Sequence, residues 1–226
     1  MAALRSPGAT PGLLWLAGQL DCRAMEAAVD APRRLDGDKA RRIIGAMRAS
    51  VGSRGAAAST FDHVAREAGV SRGLLHYYFG SKDRLLVEVV RHDCDLRIQA
   101  LDERLAAAHS LDDVVAALVA QLEAFVEDDE GSQAVVYELL SASRHSHEIR
   151  AELAKLYRRW RAHLADALRA KEREGVVGLE ADAEDVASIL FALGDGLGLQ
   201  MISDRDWDSS KPFELGIRTA RQLLGG

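Results

Sequence analysis

Apolar residues recur along most of this chain every three or four positions, the period that gathers them on one face of a helix. Ala40, Ile43, Ile44, Met47 and Val51 share such a face with basic residues opposite, and Gly52 and Gly55 predict where it stops. Two short pieces follow, one from about Phe61 to Ala68 and one from Ser71 to about Tyr78. Ser59 or Thr60 can cap the first, with Asp62 three after Ser59, and Ser71 can cap the second. Ser81 opens a long helix through Leu85, Leu86, Val89, Leu96, Leu101 and Leu105, and Ser110 with Asp113 opens the next. The charged run "EDDEG" reads as a solvated connector. A shorter helix spans Gln133 to Ser143. A long one, His147 to about Glu174, carries Ile149, Leu153, Leu156, Trp160, His163, Leu164 and Ala167 on one stripe, and Gly175 ends it. "AEDVASILFALGDGLGLQMI", starting near Asp182, is apolar almost all round and therefore expects cover on more than one side. Phe213 to Leu224 closes the chain. No run reads as a strand, so the expectation is an all-α fold of about nine helices.

The stretch "FDHVAREAGVSRGLLHYYFGSK" sets two segments of barely two turns on either side of Gly69-Val70-Ser71. Helices that short are marginal alone in water, so they must be held against each other. Val64, Val70 and Leu75 can share a small core, and Ala65 is small where a second helix crosses closely. Gly69 can take the positive φ that reverses the chain, and Ser71 can accept orphan amides at the next helix start. This is a helix-turn-helix pattern, whose second helix is free to enter a DNA major groove. Arg72, Gly73, Leu74, His76 and Tyr77 form its exposed face, and Lys82 adds a cation at the next helix start.

Charge sharpens this picture. The net charge of −6 hides an asymmetry: Arg33 to Arg91 carries 12 Lys/Arg against 6 Asp/Glu, whereas His92 to Gly226 carries 15 against 26. A basic front on an acidic body suits a front that meets a polyanion. Residues 1–35 read as a disordered tail with three of the four prolines. Their apolar run "GLLWLAGQL" is too short to span a bilayer and lacks the basic start of a secretion signal, and Met25 is an alternative start. Two cysteines, Cys22 and Cys94, make no disulfide framework, which points to a reducing cytoplasm.

"STFDHVAREAGVSRGLLHYYFGSKDRLL" resembles the DNA-binding head of the TetR (tetracycline-repressor-like) family of bacterial regulators. The Val-Ala pair, Gly-Val-Ser, the Tyr-x-Phe spacing and the Lys all fall in register, over about residues 38 to 90. The resemblance implies homodimeric, all-helical subunits with an N-terminal helix-turn-helix head (36–82) and a helical ligand-binding and dimerisation body (83–226), residues 1–35 preceding them. Thr60, Ser71, Arg72, Gly73, Leu74, His76, Tyr77 and Lys82 then fall at DNA-contact positions. Leu74 stands where the family often has threonine and suggests an apolar contact, for example to a thymine methyl. His76 replaces the commonest tyrosine.

In the body, Phe125, Tyr137, Tyr157, Trp160, His163 and Phe191 are candidates for an effector pocket. Singly each reads as core; together some of them should border a cavity if the body binds an inducer. His145 and His147 in "RHSHE" are two apart and cannot face each other on a helix, and "HDCD" at His92–Asp95 lies on a helix expected to be a solvated lever, so neither reads as a metal set. "GDGLG" lacks the spacing of a phosphate cradle. Nothing calls for a cofactor, and no nucleophile–base pair suggests an enzyme. Gly194 and Gly198 share a helix face and suit close helix packing, so Ile189, Leu193, Gly194, Leu197, Gly198 and Met201 are expected at a dimer contact. That contact would be a four-helix bundle of about Asp182–Ile202 and Phe213–Leu224 with the same helices of a second copy.

The expected function is a ligand-responsive repressor acting as a homodimer on a palindromic operator, with an unknown small-molecule effector and no membrane. An activator of the same family is one alternative. The other is a helical small-molecule-binding protein whose head does not bind DNA, which a DNA retardation assay separates.

Overall fold

The computed structural model describes residues 37–128 and 131–226. The expectations for residues 1–35 and for Asp129-Glu130 of the connector lie outside them. Among the described residues there are nine helices: α1 (Gly37–Ala58), α2 (Phe61–Ala68), α3 (Arg72–Phe79), α4 (Lys82–Ala106), α5 (Leu111–Val126), α6 (Ser132–Ser143), α7 (His147–Arg173), α8 (Ala183–Ser203) and α9 (Ser210–Leu223). The caps expected of the hydroxyl residues form. Thr60, Ser71, Ser81 and Ser110 each accept a backbone N–H of the first turn that follows. Asp113 in return accepts from the hydroxyl of Ser110 at 2.8 Å and from the N–H of His109, one residue before the cap, at 3.0 Å, so the two side chains brace the start of α5. α1 carries its break at Gly55 (φ 74°, ψ 161°), so Gly55 rather than Gly52 interrupts it, and α9 begins three residues before Phe213.

Ile43, Met47, Val51, Val64 and Leu75 close the small core of the first three helices. Gly69 turns the chain at φ 65°, ψ 39°, and the N–H of Val70 donates to Ala65 O at 2.9 Å. The body has its own core, where Leu101 and Leu105 of α4 meet Val114 and Val115 of α5, Leu164 and Leu168 of α7, Val186 of α8 and Leu224.

α4 is the element that joins these two cores, packing against α1, α3, α5, α6 and α7. It is not a solvated lever: Leu85, Leu86, Val89, Val90, Asp93 and Cys94 are all buried, and only Leu96 of its expected apolar stripe is exposed. The reason is that α4 is apolar on two faces, one for the head and one for the body, and single-face periodicity does not register the second. α8 is the opposite case. Of its 21 residues only Ala183, Val186, Ala187 and Gly198 are buried within the chain, and it is long and apolar enough to cross a membrane. Ile189 and Leu199 of α8 and Leu215 of α9 are about half exposed, at 50%, 47% and 55%.

Candidate functional site

The helix-turn-helix presents its second helix outward. In α3 only Leu75 is buried, while Arg72, Gly73, His76 and Tyr77 are exposed and Leu74 is half-buried. Arg72 donates to Asp62 at 3.2 Å across the turn and to His76 Nε2 at 3.3 Å. Both members of the Arg72–Asp62 pair are exposed, so the pair is worth well under about 1 kcal/mol and yields readily to a better acceptor. The His76 ring meets the Phe61 ring edge-on at 4.8 Å, which leaves its far edge outward. Ser71 and Thr60 spend their hydroxyls as helix caps but remain exposed. Lys82 donates from Nζ to Ala56 O at 2.7 Å, tying the start of α4 to the end of α1 with one of its three protons.

The body contains a cavity of about 230 Å³ between α4, α5, α6, α7, α8 and α9. Its wall is mostly apolar, with Phe125, Tyr157, Trp160 and Phe191 among the lining side chains. Phe191 sits edge-on to Tyr157 at 5.6 Å and tilted against Trp160 at 5.8 Å, so three aromatic faces converge from α7 and α8. Two of the six aromatic candidates are not among the lining side chains, although the Tyr137 phenol, raised first by burial, stands near enough to Asp195 for that charge to raise it further. His163 bonds Asp102 through Nε2 at 2.8 Å, linking α7 to α4 away from the cavity, and Tyr137 does not line it. Both sit on the correct apolar stripes, but a stripe about 100° wide has edges that face neighbours rather than the void.

The polar groups of the lining include Asp93, Cys94, Arg97 and Asp195, with Gln121 and Ser132 beside them. Burial raises the Asp195 carboxyl above the usual carboxylate range, against the pull of a hydrogen bond from Tyr157 and the charge of Arg97. The Tyr157 phenol is pushed up to about 12, first by burial and then by the Asp195 charge. Burial likewise raises the Cys94 thiol, which accepts a hydrogen bond from Trp160, and an unreactive thiol results. Arg97 is drawn down by burial, opposed by Asp128 and Asp93, and its guanidinium lies 4.5 Å over the Phe125 ring. Arg97 is thus engaged by Asp128 at 3.7 Å and by Phe125, whereas Asp195, exposed at one edge of the cavity, has a phenol and no cation within ion-pair distance among the described residues. Asp93 and Cys94 are legible only as a failed metal motif, and Asp195 is hidden among glycines. The available signal was a lone carboxylate inside the apolar run "FALGDGLGL".

The glycines of α8 divide. Gly198 faces inward: a Cβ there would stand 3.2 Å from Leu122 Cδ1 and 3.6 Å from Phe125 Cδ1, so its close partner is α5 of the same chain, not a second copy. Leu193, Gly194 and Leu197 line the cavity, and Leu197 reaches to within 3.0 Å of the Cβ position of Gly216 on α9. Ile189 points outward, and Met201 is half-buried.

Comparison with known proteins agrees with this architecture. Residues 43–89 match the family described as bacterial regulatory proteins, tetR family, and residues 112–211 match the BetI-type transcriptional repressor, C-terminal. The HTH-type transcriptional regulator BetI of Rhizobium meliloti (strain 1021) is 34% identical over 150 residues, 65% of this chain and 70% of the relative. This chain belongs to the TetR family. It is a transcriptional regulator of the BetI type and not an enzyme. BetI of Brucella suis biovar 1 is 27% identical over 179 residues, 71% of this chain and 90% of the relative. A TetR-family regulator from a Rhodococcus species has the same fold with a TM-score of 0.70 at 20% identity, covering 84% of this chain and all of the other. A transcriptional regulator from Saccharomonospora viridis, solved in complex with choline, superposes with a TM-score of 0.63 at 25% identity, covering 84% and 94%.

Proposed function

We propose that this regulator is a cytoplasmic homodimeric repressor released from a two-fold operator by a small organic cation. The observation that carries the reading is the cavity wall: three converging aromatic rings beside Asp195, a partly desolvated carboxylate at the solvent-exposed rim with no cation at ion-pair distance among the described residues. Aromatic faces attract a quaternary ammonium through their quadrupoles, and Asp195 supplies the counter-charge. A cation also relieves the cost of keeping that carboxylate ionised in an apolar wall. The choline in the Saccharomonospora viridis structure supports this chemistry.

On the DNA side, Arg72, Gly73, Leu74, His76 and Tyr77 enter the major groove, with Thr60, Ser71 and Lys82 on the flanking phosphates. The exposed apolar residues of α8 and α9, Ile189 and Leu215 among them, are covered by the same surface of a second copy. That symmetry sets two α3 helices about 34–36 Å apart, one turn of DNA. Because α4 begins in the head and walls the cavity, an effector that favours one setting of α4 favours one setting of the heads, and the coupling is reciprocal. The test is retardation of a duplex selected by the protein from a random pool, with and without choline, beside sedimentation of the free protein. A dimer that binds a two-fold site and lets go in choline is expected. Retention of the duplex at saturating choline sinks the effector reading, and a monomer at micromolar concentration sinks the assembly.

A further inference from the structure

The cavity and the DNA-binding head share one carboxylate. Asp93 of α4 lines the cavity, with its side chain only 8% exposed. Its Oδ1 accepts from Arg48 Nη1 of α1 at 3.0 Å, and the same Nη1 lies 3.3 Å from Ser132 Oγ at the start of α6. Ser132 also lines the cavity. The other oxygen, Asp93 Oδ2, is buried and has no hydrogen-bond partner among the described residues. A buried carboxylate oxygen left without a donor is costly, the more so when charged. Folded proteins rarely keep such a group unless something fills the gap.

We propose that Asp93 Oδ2 is the effector's second anchor, a subsite for a hydroxyl or N–H donor, and that occupancy there is passed to the head through Arg48. This rests on the reading of the cavity as a cation site: the cationic end lies among Tyr157, Trp160, Phe191 and Asp195, and a donor at its other end reaches Asp93. A donor on Oδ2 draws charge off the carboxylate and loosens its hold on Arg48, which weakens the ion pair that ties α1 of the head to α4 in the cavity wall. The subsite therefore separates ligands by their tail. Choline carries a hydroxyl donor; tetramethylammonium has the same cationic head and none.

The test uses the full-length chain and the selected duplex. In wild type, choline lowers DNA affinity by a factor within the usual allosteric range, roughly 5–150-fold, while tetramethylammonium binds by calorimetry and releases DNA less than about threefold. In Asp93→Asn, choline binding weakens and the two cations release DNA alike. Equal release of wild type by both cations overturns the subsite. The link to Arg48 is tested without any effector by a double-mutant cycle of Asp93→Asn with Arg48→Gln, read in DNA affinity and thermal midpoint, with Arg48→Lys as the conservative control. Non-additive effects, partly restored by lysine, are expected; additive effects overturn the link. Failure of both cations to bind wild type instead overturns the cation reading, and with it the donor subsite, while the cycle still decides the link.

Discussion

Gly131 is the residue on which a single methyl group should matter most. It initiates α6 with φ 91°, a conformation that costs a non-glycine residue about 1–2 kcal/mol. Space is the larger problem. A Cβ at this position would stand 2.7 Å from Gly52 Cα, 2.8 Å from Arg48 O and 2.9 Å from Gly52 N, all backbone atoms of α1. No rotamer change relieves a clash with backbone, so α6 must back away from α1 by several tenths of an ångström, and overpacking of this kind costs about 1–3 kcal/mol. Together Gly131→Ala should destabilise the protein by about 2–5 kcal/mol, a large part of a typical folding free energy. At about 2–4 °C per kcal/mol for a chain of this size, the thermal midpoint should fall by roughly 4–20 °C. Gly45→Ala is the matched control. It lies within α1, a Cβ there meets nothing within 4 Å, and it should stabilise by about 0.5–1 kcal/mol. Scanning calorimetry at one fixed protein concentration decides it, since a dimer's midpoint moves with concentration. A Gly131→Ala midpoint within a degree of wild type would falsify the claim that α6 rests directly on the α1 backbone.

Four further outcomes follow from the same geometry. Arg72→Ala should lose about 1–3 kcal/mol on the selected duplex and relax base preference at one position per half-site; equal losses on random DNA would reduce Arg72 to a phosphate contact. Lys82→Ala should weaken all sequences alike and lower the log–log salt slope by about 0.9 for each phosphate it no longer neutralises, together with a lower thermal midpoint because the bond to Ala56 O is gone; an unchanged slope would refute the phosphate role. Asp195→Asn should stabilise the free protein increasingly as pH rises through the carboxyl's raised pKa, because the folded state holds that proton more tightly than the unfolded state; a gain independent of pH from 4 to about 8 would contradict the desolvation of Asp195. Ile189→Asp should shift the sedimentation equilibrium towards monomer with the far-ultraviolet spectrum unchanged, and dimerisation as tight as wild type would remove α8 from the interface.

Local chemistry decided much of this protein before any tertiary contact was known. Thr60, Ser71, Ser81 and Ser110 mark helix starts because a hydroxyl before a helix accepts N–H groups that have no other partner, whatever packs nearby. Gly69 marks the turn because its left-handed backbone is nearly closed to other residues. The all-helical class, the order of the helices and the helix-turn-helix itself are sums of such local preferences. What only the tertiary structure decided is where each helix turns its faces. Periodicity shows that α8 is apolar but not that Gly198 is seated on α5 while Ile189 looks outward. It shows a stripe on α7 but not that Trp160 meets the cavity while His163 meets Asp102. The site itself is made of residues far apart in the chain, Asp93 from α4, Trp160 from α7 and Asp195 from α8, and Arg48 joins Asp93 across 45 positions. No local rule relates such positions. They meet only because the helices pack at particular distances and rotations, and the apolar groups so gathered round Asp195 raise its carboxyl even though the residue keeps an exposed edge.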